Sequence, residues 1–463
     1  MKKLLPFILL AALTACTAAP DAAPAATPTT APEATASPAS DPAPTTTAPF
    51  YHISETFNSG DAYYSFTQKP GYALLLKTDY ATAAQSVFCT VPGCTHDSDA
   101  CPAYFPGSGD DYRIVSDAPC YVYHPAQDSL TWDEYYDGYV KYAMEHPGGI
   151  VADFTPEEIE MHCRAEWEEK NAPSAVYAVD PAAGKTYTEV QDVGTSYGFA
   201  YSDGTALYGE VSGGLSPDAA PACRIDLATG QAEEFTLLPT EQTLGIYGDG
   251  ILTARYVADA PLPTDWEQFN AAIQTAMLEF DCWDPRTGTR TKLAERPYNG
   301  ADMLTSGYAC SDNSRLYFVE MNDLGGGAFE RLGLTTVDPA TGTAETIWDT
   351  WPDERAGMSM PDIMPAHGDR TTHWLWLLYN NTAEQKPESY ALVNTDTWEI
   401  SPLDQMVRND DRYVSALAQT SDGRLLVWTG SNNGGSCNAM GLITPEELAA
   451  GSTDWQKVTM WQG

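Results

Sequence analysis

Within thirteen residues the chain carries three cysteines and a histidine, spaced Cys89-x4-Cys94-x-His96-x4-Cys101. Three chemistries are open to that set. Three thiolates and one imidazole fill the four positions of a tetrahedral zinc site, closed to substrate when all four bind. Alternatively, two of the cysteines join in a disulfide, as an exported protein allows, with Cys120 a candidate partner for the third. In the third reading all are reduced, buried thiols. His96 favours metal, because a disulfide loop has no use for an imidazole; the C-x4-C-x-H order departs from standard finger spacings. Whether metal or disulfide, the cluster is expected to staple a loop and not to catalyse. Cys163, Cys223, Cys282, Cys310 and Cys437 are scattered and read as small core residues.

Other arrangements look chemical and fail on context. Gly194-Thr195-Ser196-Tyr197-Gly198 matches G-x-S-x-G, but a nucleophile elbow must lead from a strand into a helix. Here Phe199 to Gly204 reads as a strand and a turn. His162 and Glu166 stand four apart on a predicted helix, with no second histidine to complete a metal set. Asp110-Asp111 and Asp410-Asp411 have the charge for calcium without an EF-hand pattern, and read as solvated loops. There is no H-E-x-x-H, Walker loop or Rossmann fingerprint on a βαβ unit. No catalytic residue is assigned, and zinc is the one cofactor considered.

The elements that position these residues follow one repeated unit. Asp-x-x-Thr-Gly or a relative recurs at Asp79–Ala83, Asp180–Gly184, Asp226–Gly230, Asp284–Gly288 and Asp338–Gly342. Asn394–Trp398 is a degenerate sixth case, and Thr444-Pro445-Glu446 sits where a seventh belongs. From Asp180 onward the spacings are 46, 58, 54, 56 and 50 residues. The turn chemistry is that of a hairpin: Asp accepts from backbone amides ahead of it, and Gly takes the positive φ. A second hairpin precedes the motif, as at Tyr197–Val211 around Asp203-Gly204 and Leu244–Tyr256 around Asp249-Gly250. Two hairpins per unit give four strands. Units of this length predict an all-β fold, a β-propeller of seven four-stranded blades over residues 50–463. Six blades is the alternative, since the first and last units are the most degenerate.

Three stretches switch to helical periodicity. Thr131-Trp132-Asp133-Glu134 and Thr155-Pro156-Glu157-Glu158 read as capping boxes within an insertion over about 129–172. Trp132, Tyr135, Tyr136, Tyr139 and Ala143 share one face of the first helix, and Ile159, Cys163 and Trp167 one face of the second. Thr264 opens a shorter helix over about 264–276, with Trp266, Phe269, Ile273 and Met277 in line. The tryptophans are read as packing. If the Asp turn joins strands three and four, the insertions fall between strands two and three. They then gather on one face of the disc, together with the stretches at 323–327, 380–389 and 431–436. The cysteine cluster, following the last strand of the first blade, is expected there too. That face around the channel mouth is where a ligand or partner is expected.

The N-terminus supplies an address. Lys2 and Lys3 precede an apolar run from Leu4 to Leu13, too short to span a bilayer. Leu13-Thr14-Ala15-Cys16 resembles the lipobox of bacterial lipoproteins, which implies a signal peptide over 1–15 and lipid on Cys16. Residues 17–49 contain only Ala, Pro, Thr, Ser, Asp and Glu, a disordered tether. At about 3.1 Å per residue it reaches up to ~100 Å. The chain has 64 acidic and 24 basic side chains, a net charge of −40. Nucleic acid is excluded as a partner, because counterion release has little to act on. The acidity keeps an envelope protein soluble.

With its lipobox, its propeller repeat and the Cys89–Cys101 cluster, the chain resembles the extracytoplasmic β-propeller lipoproteins of anaerobic Gram-positive bacteria, a group related to the TolB-type propellers. The resemblance covers residues 50–463 and implies a fold and a location, anchored on the outer face of the cell membrane. It implies no reaction. The expected function is that of a binding or scaffold module for a protein, peptide or glycan. The alternative is a cell-envelope hydrolase or lyase with acidic residues at the channel mouth. Convergent ionisable groups in a concave pocket would mark the enzyme.

Overall fold

Each Asp-x-x-Thr-Gly stretch closes a hairpin between the third and fourth strands of a four-stranded antiparallel sheet, and there are seven such sheets. The computed structural model describes residues 49–126, 130–146, 154–193, 197–211, 216–298, 307–325, 328–352, 362–365, 373–379, 389–403, 415–429 and 439–463. Blade 1 runs from Phe57–Asn58 to Ala84–Val87, blade 2 from Arg113–Asp117 to Gly184–Glu189, and blade 3 from Tyr197–Ser202 to Ala232–Pro239. Blade 4 runs from Gln242–Tyr247 to Thr289–Pro297, and blade 5 from Tyr308–Ser311 to Thr343–Trp348. Blade 6 runs from Asp362–Pro365 to Ile400–Pro402, and blade 7 from Ser415–Gln419 to Gln456–Lys457. The fold is a seven-bladed β-propeller, and the six-blade alternative falls.

The turn works as its residue types dictate. Asp226 Oδ1 accepts from the Thr229 amide at 2.9 Å and its hydroxyl at 2.8 Å, and Gly230 turns back at φ 68°. Asp79 does the same with Thr82, and Asn394 accepts from the Asp396 and Thr397 amides. In these two degenerate units Ala83 and Trp398 occupy the position that glycine fills elsewhere, at φ 49° and 58°. The geometry of the turn outlasts the loss of its glycine because the Asx hydrogen bonds remain. In blade 7 the corresponding connection is a short helix, Pro445–Ala449, opened by a Thr444–Glu447 capping box.

The core lies between blades. Both faces of a blade are covered by its neighbours, so the middle strands are apolar on both sides, as in Tyr72-Ala-Leu-Leu-Leu. Phe280 of blade 4 meets Phe318 of blade 5 edge-on at 5.1 Å. Tyr63 and Tyr80 of blade 1 share a cluster with Leu426 and Met440 of blade 7.

The ring closes without exchange of strands between its two ends. All four strands of blade 7 come from one continuous stretch, and so do those of blade 1. The joint is made by side contacts. The Ser421 amide donates to Gly60 O at 2.7 Å. Beyond the last strand, Thr459 pairs in parallel with Ala84, donating to Ala83 O and accepting from the Gln85 amide.

The N-terminal arm lies inside the ring. Tyr51–His52 pairs with the inner strand of blade 3, Ser54 bridges to Ile114 on the inner strand of blade 2, and Phe57–Asn58 then opens blade 1. Register gives the direction. Tyr51 stands opposite Ser202, beside the first hairpin turn, and Ser54 lies near the far end of the channel.

The insertions lie between second and third strands, as the register argument requires: α1 (Trp132–Tyr135), α2 (Lys141–Glu145) and α3 (Pro156–Lys170) in blade 2, and α4 (Trp266–Ile273) in blade 4. Both predicted capping boxes are formed. Three details differ. Between α1 and α2 the helix widens to a π turn over Tyr136–Val140, which advances the inward face by one residue. Val140 is therefore buried and Tyr139 is exposed. The N-cap of α4 is Asp265, not Thr264, and the helix ends at Ile273, so Met277 begins a strand instead of extending the stripe. Trp132 packs on Trp167 as expected, whereas Trp266 is 54% exposed. No helix among the described residues is long and apolar enough to cross a membrane.

Candidate metal centre and channel mouth

Residues 88–103 do not follow the outer strand of blade 1; they interrupt it. Ala84–Val87 pairs with the second half of Tyr72–Asp79, Leu76 to Asp79, and Tyr104–Pro106 resumes pairing with its first half at Leu74, Ala73 and Tyr72. The cluster thus bulges from the rim of the disc and not from the helix-bearing face, because the chain must return to complete the same strand. The bulge leans on blade 2. The Thr90 amide and hydroxyl both donate to Pro181 O, Lys185 Nζ reaches Tyr104 O, and Asp99 lies 3.6 Å from the same ammonium.

Two turns shape the loop. Val91-Pro92-Gly93-Cys94 closes on a Cys94 amide to Val91 O bond at 3.2 Å, with Pro at the second position and Gly93 at φ 74°, the type II pattern. Cys101 donates to Ser98 O at 2.9 Å. Between the turns His96 adopts φ 62°, an uncommon conformation for a residue with a Cβ, and this turns its ring back toward the cysteines. His96 Nδ1 lies 3.3 Å from Cys101 Sγ. The three sulfurs and the imidazole nitrogen all lie within 4.8 Å of one another.

Each sulfur also receives a backbone amide two residues ahead: Val91 to Cys89, His96 to Cys94 and Ala103 to Cys101. The His96 amide holds the Cys94 thiol below its ordinary range. Burial pushes Cys89 up and Cys101 up to about 12. Cys120 stands outside this group, buried on the second strand of blade 2. The eight cysteines among the described residues are free thiols. Cys163, Cys223 and Cys310 are buried and Cys282 half-buried, in keeping with core roles, while Cys437 falls outside the described residues.

The remaining sequence candidates resolve as follows. Gly194–Ser196 lie outside the described residues, and Tyr197-Gly198 begins a strand that runs into the Asp203-Gly204 turn. His162 Nε2 is 3.8 Å from Glu166 Oε2, but Glu166 also pairs with Lys170, and Gln68 approaches the other ring nitrogen at 3.5 Å. The pair belongs to a polar seam that docks α3 on blade 1. Asp111 joins that seam through Lys170 at 3.9 Å, so it is buried in structure and not solvated. Asp410-Asp411 lies outside the described residues.

A cavity of about 750 Å³ opens at one mouth of the channel. Its rim is built from first-hairpin turns: Gly60 in blade 1, Gly248-Asp249 in blade 4, Asn313 in blade 5 and Thr420-Ser421 in blade 7. This is the mouth opposite the helices; a second cavity of about 460 Å³, lined by Thr56, Gln68, Asp110, Trp428 and Met440, lies between blades 1 and 7 toward the helix-bearing side. The arm supplies Phe50, Tyr51 and His52 to the lining of the first, and the ring supplies Phe57, Asn58, Tyr63 and Gln419. Among the described lining residues Asp249 is the one carboxylate and His52 the one imidazole. The arm itself was not recognisable in the sequence, since two strand residues after Pro49 carry no periodic signal.

The sequence matches no protein-family model and no curated protein. Among solved structures it is similar to the β-propeller domain of the trilobed protease from Pyrococcus furiosus, at 10% identity and a TM-score of 0.40, over 89% of this chain and 99% of that one. It is also similar to a prolyl endopeptidase, at 11% identity and a TM-score of 0.44, over 88% of this chain and 50% of that one. An oligogalacturonate lyase in complex with manganese matches at 16% identity and a TM-score of 0.32, over 56% of this chain and 68% of that one. The seven-blade assignment rests on this chain's own sheets.

Proposed function

We propose that the protein is a lipid-anchored propeller held on the outer face of the cell membrane, with Cys16 as the lipidated residue and residues 17–49 as its tether, and that it acts as a binding module. The ligand, a peptide, glycan or protein segment, seats at the mouth ringed by the first-hairpin turns. The observation that carries this reading is the 750 Å³ cavity there, whose described walls are mostly aromatic and aliphatic side chains, amides, hydroxyls and turn backbone, with Asp249 and His52 the ionisable groups among them. Such walls suit sugar rings and extended peptide, and none of this chemistry requires a nucleophile.

Two measurements test the reading. Membrane fractionation of Cys16→Ser should find the protein released; full retention in the membrane defeats the anchor. Full-length protein on arrays of envelope peptides and glycans should retain a ligand that Asp249→Trp, at the exposed rim, no longer holds. A ligand insensitive to Asp249→Trp and lost with Trp266→Ala would move the site to the helical face.

A further inference from the structure

We propose that Cys89, Cys94, His96 and Cys101 bind one zinc ion as a closed tetrahedral site, which clips the interrupted outer strand of blade 1 against blade 2. The argument starts from distance. Zinc–sulfur bonds of about 2.3 Å at tetrahedral angles put neighbouring sulfurs ~3.8 Å apart. Four donor atoms already within 4.8 Å reach that by closing less than about one ångström on the longest edge.

The imidazole decides between metal and disulfide. A disulfide consumes two sulfurs and leaves His96 at most a hydrogen bond to the third; a four-coordinate ion uses all four, and His96 holds an unfavourable φ to reach them. Three thiols release three protons to solvent, and the resulting site carries one net negative charge. Lys185 brings an ammonium from blade 2 beside the loop, where it is shared with the Asp99 carboxylate at 3.6 Å. Thr90, one residue after the first ligand, makes the other bonds to blade 2. The loop that zinc closes is therefore the loop that joins two blades.

The test uses purified full-length chain from zinc-replete growth, isolated without reductant. Elemental analysis should give one zinc per chain. Replacement by Co2+ should produce the intense visible absorption of a tetrahedral, thiolate-rich site, and both should be lost in Cys94→Ser and His96→Ala but kept in Cys223→Ser. Should the ligand variants fail to fold, the cobalt spectrum of the unaltered chain decides alone. The zinc-loaded chain should melt several degrees above the chelator-stripped one. The metal assignment is overturned by a mass two daltons low with two cluster cysteines linked, by cluster thiols that react freely in a chain that takes up no Zn2+ or Co2+, or by zinc retained in both ligand variants. Equal melting of loaded and stripped chains would overturn the clip.

Discussion

His124 Nε2 lies 3.7 Å from Glu169 Oε1, the first on the second strand of blade 2 and the second on α3, with the histidine fully buried. This contact, flanked by the Tyr112 ring at 5.3 Å, is where the long helical insertion meets the disc. Burial holds His124 down to about 4, with Arg113 adding to the drop and the Pro173 carbonyl opposing it. Between pH 6.5 and 4 the unfolded chain therefore binds the extra proton, and stability falls as pH falls through that window. The swing is on the order of 3 kcal/mol. Burial raises Glu169, which acts with the opposite sign: its contribution is present at low pH and fades as pH rises through its folded value. Urea unfolding at a series of pH values should show His124→Phe with a flatter curve than the unaltered chain between pH 6.5 and 4. Parallel curves would show that His124 is not the titrating group.

The Gly230 turn abuts a neighbour, and those of Gly288 and Gly342 do not. A Cβ on Gly230 would stand 2.3 Å from Glu189 O of blade 2, whereas nothing lies within 4 Å of one on Gly288 or Gly342. Alanine at the latter two should cost about 1–2 kcal/mol, the strain of a left-handed conformation. Gly230→Ala adds a backbone clash and should cost more than about 3 kcal/mol. Thermal unfolding of the three variants side by side measures the difference; equal losses would contradict the close approach.

Asp312 organises the first hairpin turn of blade 5. One carboxylate oxygen accepts from the Ser314 and Arg315 amides, and the other from the buried Tyr317 hydroxyl at 2.8 Å. Tyr317→Phe should cost about 1–2 kcal/mol and Asp312→Ala on the order of 3 kcal/mol, since the latter strands several donors. The double variant should lose less than the two combined. Strict additivity would mean that the two side chains act independently.

Closure of the ring makes a fourth prediction. Thr459→Pro removes the donor to Ala83 O, so it should lower stability by about 1–3 kcal/mol. Amide exchange should quicken at Gln85, whose partner is Thr459 O. Unchanged exchange there would show that the joint between blades 7 and 1 is held by other contacts.

Much of this was legible before folding. The Asp turn is local chemistry: an Asp oxygen, two or three amides ahead of it and a residue able to take positive φ. It could be recognised even where Ala83 and Trp398 replace glycine, because the hydrogen bonds that define it stay within four residues. The same holds for Thr131 and Thr155, whose capping boxes close over three residues. Misplacements began where a partner lay outside that range. An α-helical period carried through the π turn points Tyr139 inward, and a stripe of apolar residues does not say how far the surface facing Trp266 extends.

By itself the sequence determined the blade, its four strands, the side of the disc from which the insertions leave and the four candidate ligands, because each is set by residue types a few positions apart. Only the tertiary structure decided that the cluster interrupts an outer strand instead of following it, that an arm ahead of blade 1 pairs with the inner strands of blades 2 and 3, and that a cavity ringed by first-hairpin turns opens at the mouth away from the helices. All three depend on which strand edges find each other across the ring. Hydrogen bonding between strand edges is the same for every sequence, so alternation and turn residues can say that a segment will pair but not with which partner.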